Sequence, residues 1–248
     1  MLSYSRVRRA HAAAATAALL FGMTACGSDG GSLPRPHRTQ APPTPQFART
    51  VGPLTQDQAR RSVLTPEDVG PGWSAGALED GVPDPGDEPF PKSAGSRACD
   101  KALDDTRTGA TRVTVGAERE FEQDGTGVKV IVSTHVHSGD GAVVQLRWTR
   151  AMVESCGDVD FPVADGAAAV RYRAIAAPVV GDEAVGMRMV MRPGVNPGTA
   201  ATTGDIITVR VGPNTVTVLV VGDAGLDPVV LERLARRAGE RLVTATRE

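Results

Sequence analysis

One short stretch of this sequence has the form of a hydrolase motif. Residues 72–76 match G-x-S-x-G, which in α/β-hydrolases holds a nucleophilic serine on a tight turn between a strand and a helix. Here Gly70-Pro71 precedes the motif, and an acidic, proline-rich stretch follows it. The histidine partner of such a serine lies near the C-terminus, whereas His137 is the last histidine of this chain. We therefore interpret these residues as a glycine-rich turn with Trp73 packed on a sheet, and we expect no enzyme.

Two histidines have the spacing of a small metal site. His135 and His137 lie on one face if this segment is a strand, because side chains alternate along a strand. With Asp140 nearby, the pair would bind zinc or copper weakly. Structural metal sites usually have four ligands, and the sequence offers no convincing third and fourth. We expect an exposed strand end here and no metal or other cofactor.

Two arginines and a tryptophan are the candidate ligand-binding residues. Arg147 and Arg210 would line an anion-binding cleft, and the turn at residues 70–72 presents Trp73. The alternative is that both arginines only solvate a surface.

Three methionines and a stripe of arginines have further alternatives. Met187, Met189 and Met191 would suit copper through their thioethers, but a spacing of two is typical of the core face of a strand, where methionine fills irregular gaps. We favour the core. A predicted closing helix carries a basic stripe that would contact anionic wall polymers or lipid headgroups: Arg233, Arg236, Arg237 and Arg241.

Cys26 follows a segment with the pattern of a bacterial lipoprotein leader. Three arginines within residues 6–9 precede a mostly apolar run at 10–22, which is too short to span a bilayer permanently, and small Ala25 fits a cleavage site. We predict a signal peptide at 1–25 and lipid on the sulfur of Cys26, which would anchor the chain to the outer face of the cell membrane. An ordinary secretory leader is the alternative, and it also implies export.

The other two cysteines are Cys99 and Cys156, an even number in a chain bound for an oxidising compartment. We expect a disulfide between them, with two buried thiols as the alternative. In the chain-entropy model, such a disulfide raises the free energy of unfolding by about 4 kcal/mol.

Composition indicates one domain on a tether. The chain has 248 residues, 41% of them hydrophobic, and a net charge of −2, which disfavours nucleic-acid binding. Residues 26–53 are rich in proline and have little to bury, so we predict a lipidated, disordered tether that reaches roughly 80 Å when extended. We assign 54–248 to a single extracytoplasmic domain.

Hydrophobic spacing then gives the elements of that domain. Helices are predicted at 56–62, from 66, around 99–106, at 140–156 and from 227, and alternating residues predict strands near 113–121, 128–136, 168–176, 185–191, 206–211 and 215–221. A second proline-rich stretch, 79–95, is predicted as a surface loop. Strands next to strands with helices apart indicate an α+β fold: an antiparallel sheet of about six to seven strands packed against helices, with one disulfide.

Several short motifs, in their order along the chain, resemble a known family. They are residues 64–73 (LTPEDVGPGW), Ala98-Cys99, Arg147-Trp148 with Cys156, residues 180–184 (VGDEA) and residues 209–212 (VRVG). Together they are similar to the PknH-like extracellular sensor domains of mycobacterial receptor kinases and of stand-alone actinobacterial lipoproteins. The resemblance covers roughly 64–245. It implies an antiparallel sheet with helices tied by disulfides, and a cleft for an unidentified ligand, although members often have two disulfides and this chain can form one.

These observations predict a non-enzymatic, sensor-like lipoprotein of the cell envelope that binds an unidentified small ligand or envelope component in a cleft. The alternative is a structural or assembly accessory that docks on envelope proteins or wall polymers.

Overall fold

The computed structural model describes residues 51–82, 92–93, 96–110, 112–163, 166–193, 201–223 and 225–248. The predicted signal peptide, the lipidation site Cys26 and the tether up to residue 50 lie outside these residues, as does most of the predicted loop 79–95. In the part of the chain that is described, no helix is both long enough and apolar enough to cross a membrane.

The fold is built on one antiparallel sheet of eight strands in the order β1-β2-β3-β8-β7-β6-β5-β4. The sheet is a succession of neighbouring hairpins, with β8 inserted beside β3. Its strands are β1 Trp73–Asp80, β2 Val113–Gln123, β3 Lys129–His137, β4 Asp158–Val163, β5 Gly166–Ile175, β6 Glu183–Pro193, β7 Thr202–Val211 and β8 Asn214–Gly222.

Five helices complete the described fold. They are α1 Gln56–Ser62, α2 Pro66–Val69, α3 Arg97–Ala110, α4 Gly141–Ser155 and α5 Pro228–Ala245. α1 begins at a capping box, since Thr55 and Gln58 exchange side-chain to backbone hydrogen bonds. The predicted helix near 99–106 is longer than expected.

The predicted α+β class is confirmed, but the strand count of six to seven is too low. The two strands that the hydrophobic pattern missed, β1 and β4, are the two edges of the sheet. β1 is mostly exposed and built largely of small or acidic residues, so it lacks an alternating apolar pattern. β4 is six residues long and contains Pro162, which edge strands tolerate.

One face of the sheet, here called the α5 face, carries the larger core. Helices α1, α2 and α5 pack against β1, β2, β3, β7 and β8 on this face. Val130, Val132 and Phe121 from the sheet are fully buried beside Leu234 and Leu242 of α5. The alternating apolar side chains of β2, β3, β7 and β8 therefore pack in this core.

The opposite face, here called the α4 face, carries a second and smaller core. α4 crosses β3, β7, β6 and β5, and α3 packs on α4. The predicted disulfide is present: Cys99 in the first turn of α3 is bonded to Cys156, which directly follows α4. Both cysteines are fully buried beside Met152, so the bridge ties the two helices together inside this core.

Asn214 fastens the incoming chain to the centre of the sheet. Its side-chain oxygen accepts a hydrogen bond from the backbone N–H of Leu54, and its Nδ2 donates to the carbonyl of Gly52, both at 3.0 Å. Val51 packs against Gly212 in the same turn between β7 and β8. Val51 and Gly52, just before the predicted domain start at 54, therefore contact the turn between β7 and β8.

Candidate functional site: a polar sheet face beside α4

Two rows of polar side chains cross the α4 face between β1 and β6. We call the first the carboxylate row. Its members stand directly opposite one another on successive strands: Glu79, Glu118, Ser133, Thr217 and Thr208. Because residues paired across strands lie on the same face, these side chains form one line.

The second line, the histidine row, lies two residues further along the strands, about 7 Å away. It consists of Gly116, His135, Thr215, Arg210 and Glu183. Glu79 and Glu118 are exposed on β1 and β2, whereas Ser133, Thr215 and Thr208 are buried on β3, β8 and β7. Gln145 of α4 bonds to β8 at this buried part. In the described part of the chain, these two rows are therefore polar, whereas the next row on the same face, with Ile131, Leu219 and Ile206, and the part formed by β4, β5 and β6 are mainly apolar.

A chain of hydrogen bonds fixes the buried end of the two rows. His137 Nε2 lies 3.0 Å from the hydroxyl of Thr215, which donates to Gln145 Oε1 of α4 at 3.0 Å. The amide of Gln145 donates to Thr217, whose hydroxyl is 3.1 Å from that of Thr208. α4 is thus seated on the sheet by polar contacts in its first half.

The hydrogen bonds determine which nitrogen of His137 carries the proton. Thr215 has one hydroxyl proton and gives it to Gln145, so it can only accept from the imidazole. Nε2 is therefore protonated and Nδ1 is not. Nδ1 is buried and has no hydrogen-bond partner among the described residues. It faces the first turn of α4, because a Cβ at Gly141 would lie 3.2 Å from it.

Burial keeps both histidines neutral, which corrects the predicted exposed strand end. His137 is 4% exposed and His135 is half-buried. Loss of water lowers the pKa of His135 to about 4. For His137, burial and then the repulsion of His135 lower the pKa to about 4, against the opposing hydrogen bond of Gln145. The described residues contain no group of three or more His, Cys, Asp or Glu that would hold a metal ion.

The open end of the carboxylate row is acidic. Burial, followed by repulsion from Glu79 and Glu120, raises the pKa of Glu118. Glu120 itself accepts a hydrogen bond from Lys129 at 2.7 Å. A surface that combines carboxylates, hydroxyls and a neutral imidazole offers many hydrogen-bond acceptors and several donors. It can bind hydroxyl, amide or ammonium groups without any covalent chemistry.

The three residues predicted to bind a ligand do not meet in one cleft. Trp73 lies on the α5 face, where it packs against the larger core as the tryptophan of an edge strand. Arg147 is exposed on α4, and no ion-pair partner for it exists among the described residues. Arg210 belongs to the histidine row, but its guanidinium contacts Asp182 at 3.2 Å and Glu183 at 3.5 Å. Those two carboxylates already neutralise the charge that an anion would need.

The geometry around Ser74 does not match a hydrolase site. Ser74 lies inside β1 instead of on a strand-to-helix turn, and its hydroxyl donates to Asp124 at 3.0 Å. It shares the α4 face with His135, but its row crosses β3 at Lys129, six residues from His135. That separation is about 20 Å along a strand.

Core packing and internal ion pairs account for the remaining predicted candidates. Met187 and Met189 belong to the smaller core, as expected, while Met191 is 36% exposed. In the basic stripe, Arg237 and Arg241 are directed to the buried Asp68 of α2 at 2.7 and 3.1 Å. Half of the stripe therefore holds α2 onto α5 and is not free for an outside polymer.

The fold is that of an antiparallel sheet with helices on both faces, and it has a solved counterpart. The chain is similar to the extracellular domain of PknH from Mycobacterium tuberculosis, with a TM-score of 0.52 and 9% sequence identity. The similarity covers 78% of this chain and 99% of that domain. The sequence matches no family model and no curated protein. The predicted resemblance to PknH-like domains is therefore confirmed at the level of the fold.

Proposed function

We propose that this protein is an extracytoplasmic lipoprotein whose folded domain binds a small polar ligand without transforming it. The observation that carries the proposal is the PknH-like fold, because the similar structure covers 78% of the chain and is itself an extracellular domain. The Cys99–Cys156 disulfide supports export, since structural disulfides persist in oxidising compartments.

The ligand-binding surface in this proposal is the open end of the two polar rows. Glu79 and Glu118 are exposed there, and His135 and Thr217 are half-buried behind them. Polar side chains on a sheet face make few apolar contacts with a covering layer. The two polar rows are therefore better explained by the binding of a polar ligand than by packing. The acceptor-rich surface favours a ligand with hydroxyl, amide or ammonium donors.

The alternative function, docking as an assembly accessory, calls for a continuous exposed apolar patch. The large apolar side chains that are exposed in the described structure lie on five separate elements or loops: Val82, Val143, Val179, Met191 and Val229. Isolated apolar side chains of this kind are normal on a soluble surface, so the polar face is the better supported site.

The membrane-anchoring part of the proposal is tested by the intact mass of the membrane-extracted protein. We expect a chain that starts at Cys26 and carries acyl groups, and a Cys26→Ser variant that is absent from the membrane fraction. The double variant Cys99→Ala/Cys156→Ala keeps Cys26 and serves as the control that stays in the membrane. An unmodified chain that starts at Met1 would contradict the proposal.

The ligand-binding part is tested by native mass spectrometry of the same preparation. We expect a co-purified small molecule that is lost in Glu118→Gln, because this change removes the charge of the central carboxylate and keeps the shape of the side chain. Glu154→Gln, on the exposed side of α4, is the matched control and should retain the molecule. Retention in both variants would show that the carboxylate row is not the binding surface.

A further inference from the structure

A second charged surface lies on the α5 face, beyond the part that α5 covers. There, β4, β5 and β6 form a notch of about 280 Å³ on the outer surface of the sheet. Its central row is Asp160, Ala169 and Arg192, which stand directly opposite one another on the three strands. The small Ala169 forms the floor, and the two charged side chains rise on either side of it.

The two charges of this row have no counter-ion among the residues that the structure describes. Both Asp160 and Arg192 are exposed, and neither forms an ion pair with another described residue. The neighbouring row is different, because Asp158 is bound by Arg171 at 2.5 Å and by Arg173 at 2.8 Å. The notch therefore presents the carboxylate of Asp160 and the guanidinium of Arg192 without ion pairs, next to charged side chains that already form ion pairs.

The spacing of Asp160 and Arg192 limits the size of a ligand in the notch. Two strand spacings place the Cα atoms of Asp160 and Arg192 about 9.6 Å apart. Their side chains rise on either side of Ala169, so the notch suits a small ligand that contacts both charged groups at once. The volume of the notch is also at the lower limit of ligand pockets, which begin at about 300 Å³.

The opposed charges select against simple ions. A small anion that approaches Arg192 is repelled by Asp160, and a small cation that approaches Asp160 is repelled by Arg192. A molecule with an ammonium at one end and a carboxylate at the other can form an ion pair with both side chains. We propose that this notch binds a small zwitterion, such as a free α-amino acid, with its ammonium on Asp160 and its carboxylate on Arg192.

Calorimetric titration of the full mature protein in detergent with L-alanine tests this site. Two analogues remove one charge each: N-acetyl-L-alanine has no ammonium, and L-alaninamide has no carboxylate. We expect L-alanine to bind at least about tenfold more tightly than either analogue, because each loses one charge-assisted hydrogen bond. Equal binding of all three compounds would overturn the proposal. So would the absence of any heat of binding with L-alanine at concentrations up to roughly 50 mM.

Matched substitutions locate the binding. Asp160→Asn and Arg192→Gln should each weaken L-alanine binding by about tenfold or more. Ala169→Leu, which fills the floor and leaves both charges in place, should abolish it. Asp223→Asn and Arg233→Gln change exposed residues elsewhere that have no ion pair with another described residue, and both should leave the affinity unchanged. Binding that survives all three changes in the notch would place the amino acid at another site.

Glu118→Gln separates this notch from the polar rows, since it should not alter L-alanine binding here.

Discussion

At the scale of single residues, Asp68 holds the short helix α2 in place. Its side chain is 5% exposed and lies between Arg237 and Arg241 of α5. Burial alone raises the pKa of Asp68, but hydrogen bonds from Thr65 and the two guanidinium groups outweigh it and hold the pKa below its usual value. The ionised carboxylate is therefore the form that stabilises the fold.

Asp68→Asn should lower the free energy of unfolding at pH 7 by about 2 kcal/mol, because two guanidinium groups lose their counter-ion. The native pKa is depressed, so the contribution of Asp68 is present above its unfolded pKa of about 3.9 and is lost as the pH falls through the lower native value. Urea unfolding at pH 7 measures the loss. Glu232→Gln, which breaks an exposed ion pair with Arg236, is the control and should cost less than about 0.5 kcal/mol.

Thr215 is the residue on which the buried polar chain depends. Its hydroxyl connects His137 to Gln145 and so links β3 to α4. Thr215→Val keeps the volume but leaves a buried imidazole N–H and a half-buried amide oxygen without partners. We expect a loss of about 2 kcal/mol in unfolding free energy. Thr126→Val, in the exposed turn between β2 and β3, is the control; an equal loss there would contradict a special role for Thr215.

At the scale of elements, the disulfide joins α3 to the end of α4 across a separation of 57 residues. Cys99→Ala/Cys156→Ala should lower the unfolding free energy by about 4 kcal/mol, since the unfolded chain regains the entropy of a long loop. Chemical denaturation with and without reductant measures the effect. Reductant should shift the wild-type transition by a similar amount and leave the variant unchanged; a reductant effect on the variant would point to another cause.

The hydrophobic pattern predicts central elements better than edge elements. β3 and β8 alternate strongly because one of their faces lies in the larger core, and α1 begins at a capping box that is visible in the sequence. β1 has no such pattern, because its side chains are mostly exposed. At the start of α4, Asp140 occupies the N-cap position but pairs with Arg112 instead of capping the helix.

The polar rows could not be predicted from the sequence for a related reason. Glu118 follows the buried Ala117, and Ser133 and His135 lie beside buried valines, a pattern that is equally typical of a solvated strand face. Their alignment depends on the register of five strands, and β8 enters the sheet between strands that are distant in sequence. The burial of His137 depends on α4, which folds back over β3. Both features are tertiary, so a single strand carries no sign of them.

At the scale of the whole molecule, the two buried histidines give the fold a dependence on pH that is separate from that of Asp68. The pKa of each is about 4 in the folded protein, compared with about 6.5 in an unfolded chain. The unfolded state therefore binds more protons between these values, and stability falls as the pH drops from about 6.5 to about 4. The loss from Asp68 begins only below that window.

A series of urea transitions between pH 7.5 and 4 (a range chosen to span roughly those pKa values) measures this dependence. For His137 the shift corresponds to about 3 kcal/mol of stability lost over the window. His137→Gln retains a donor for Thr215 but does not titrate, so it should be less stable at pH 7 and lose less stability on acidification. Asp68→Asn should keep the wild-type slope in this range. A slope that is unchanged in His137→Gln would show that His137 does not contribute to the acid response of the domain and that its imidazole is already solvated in the folded protein.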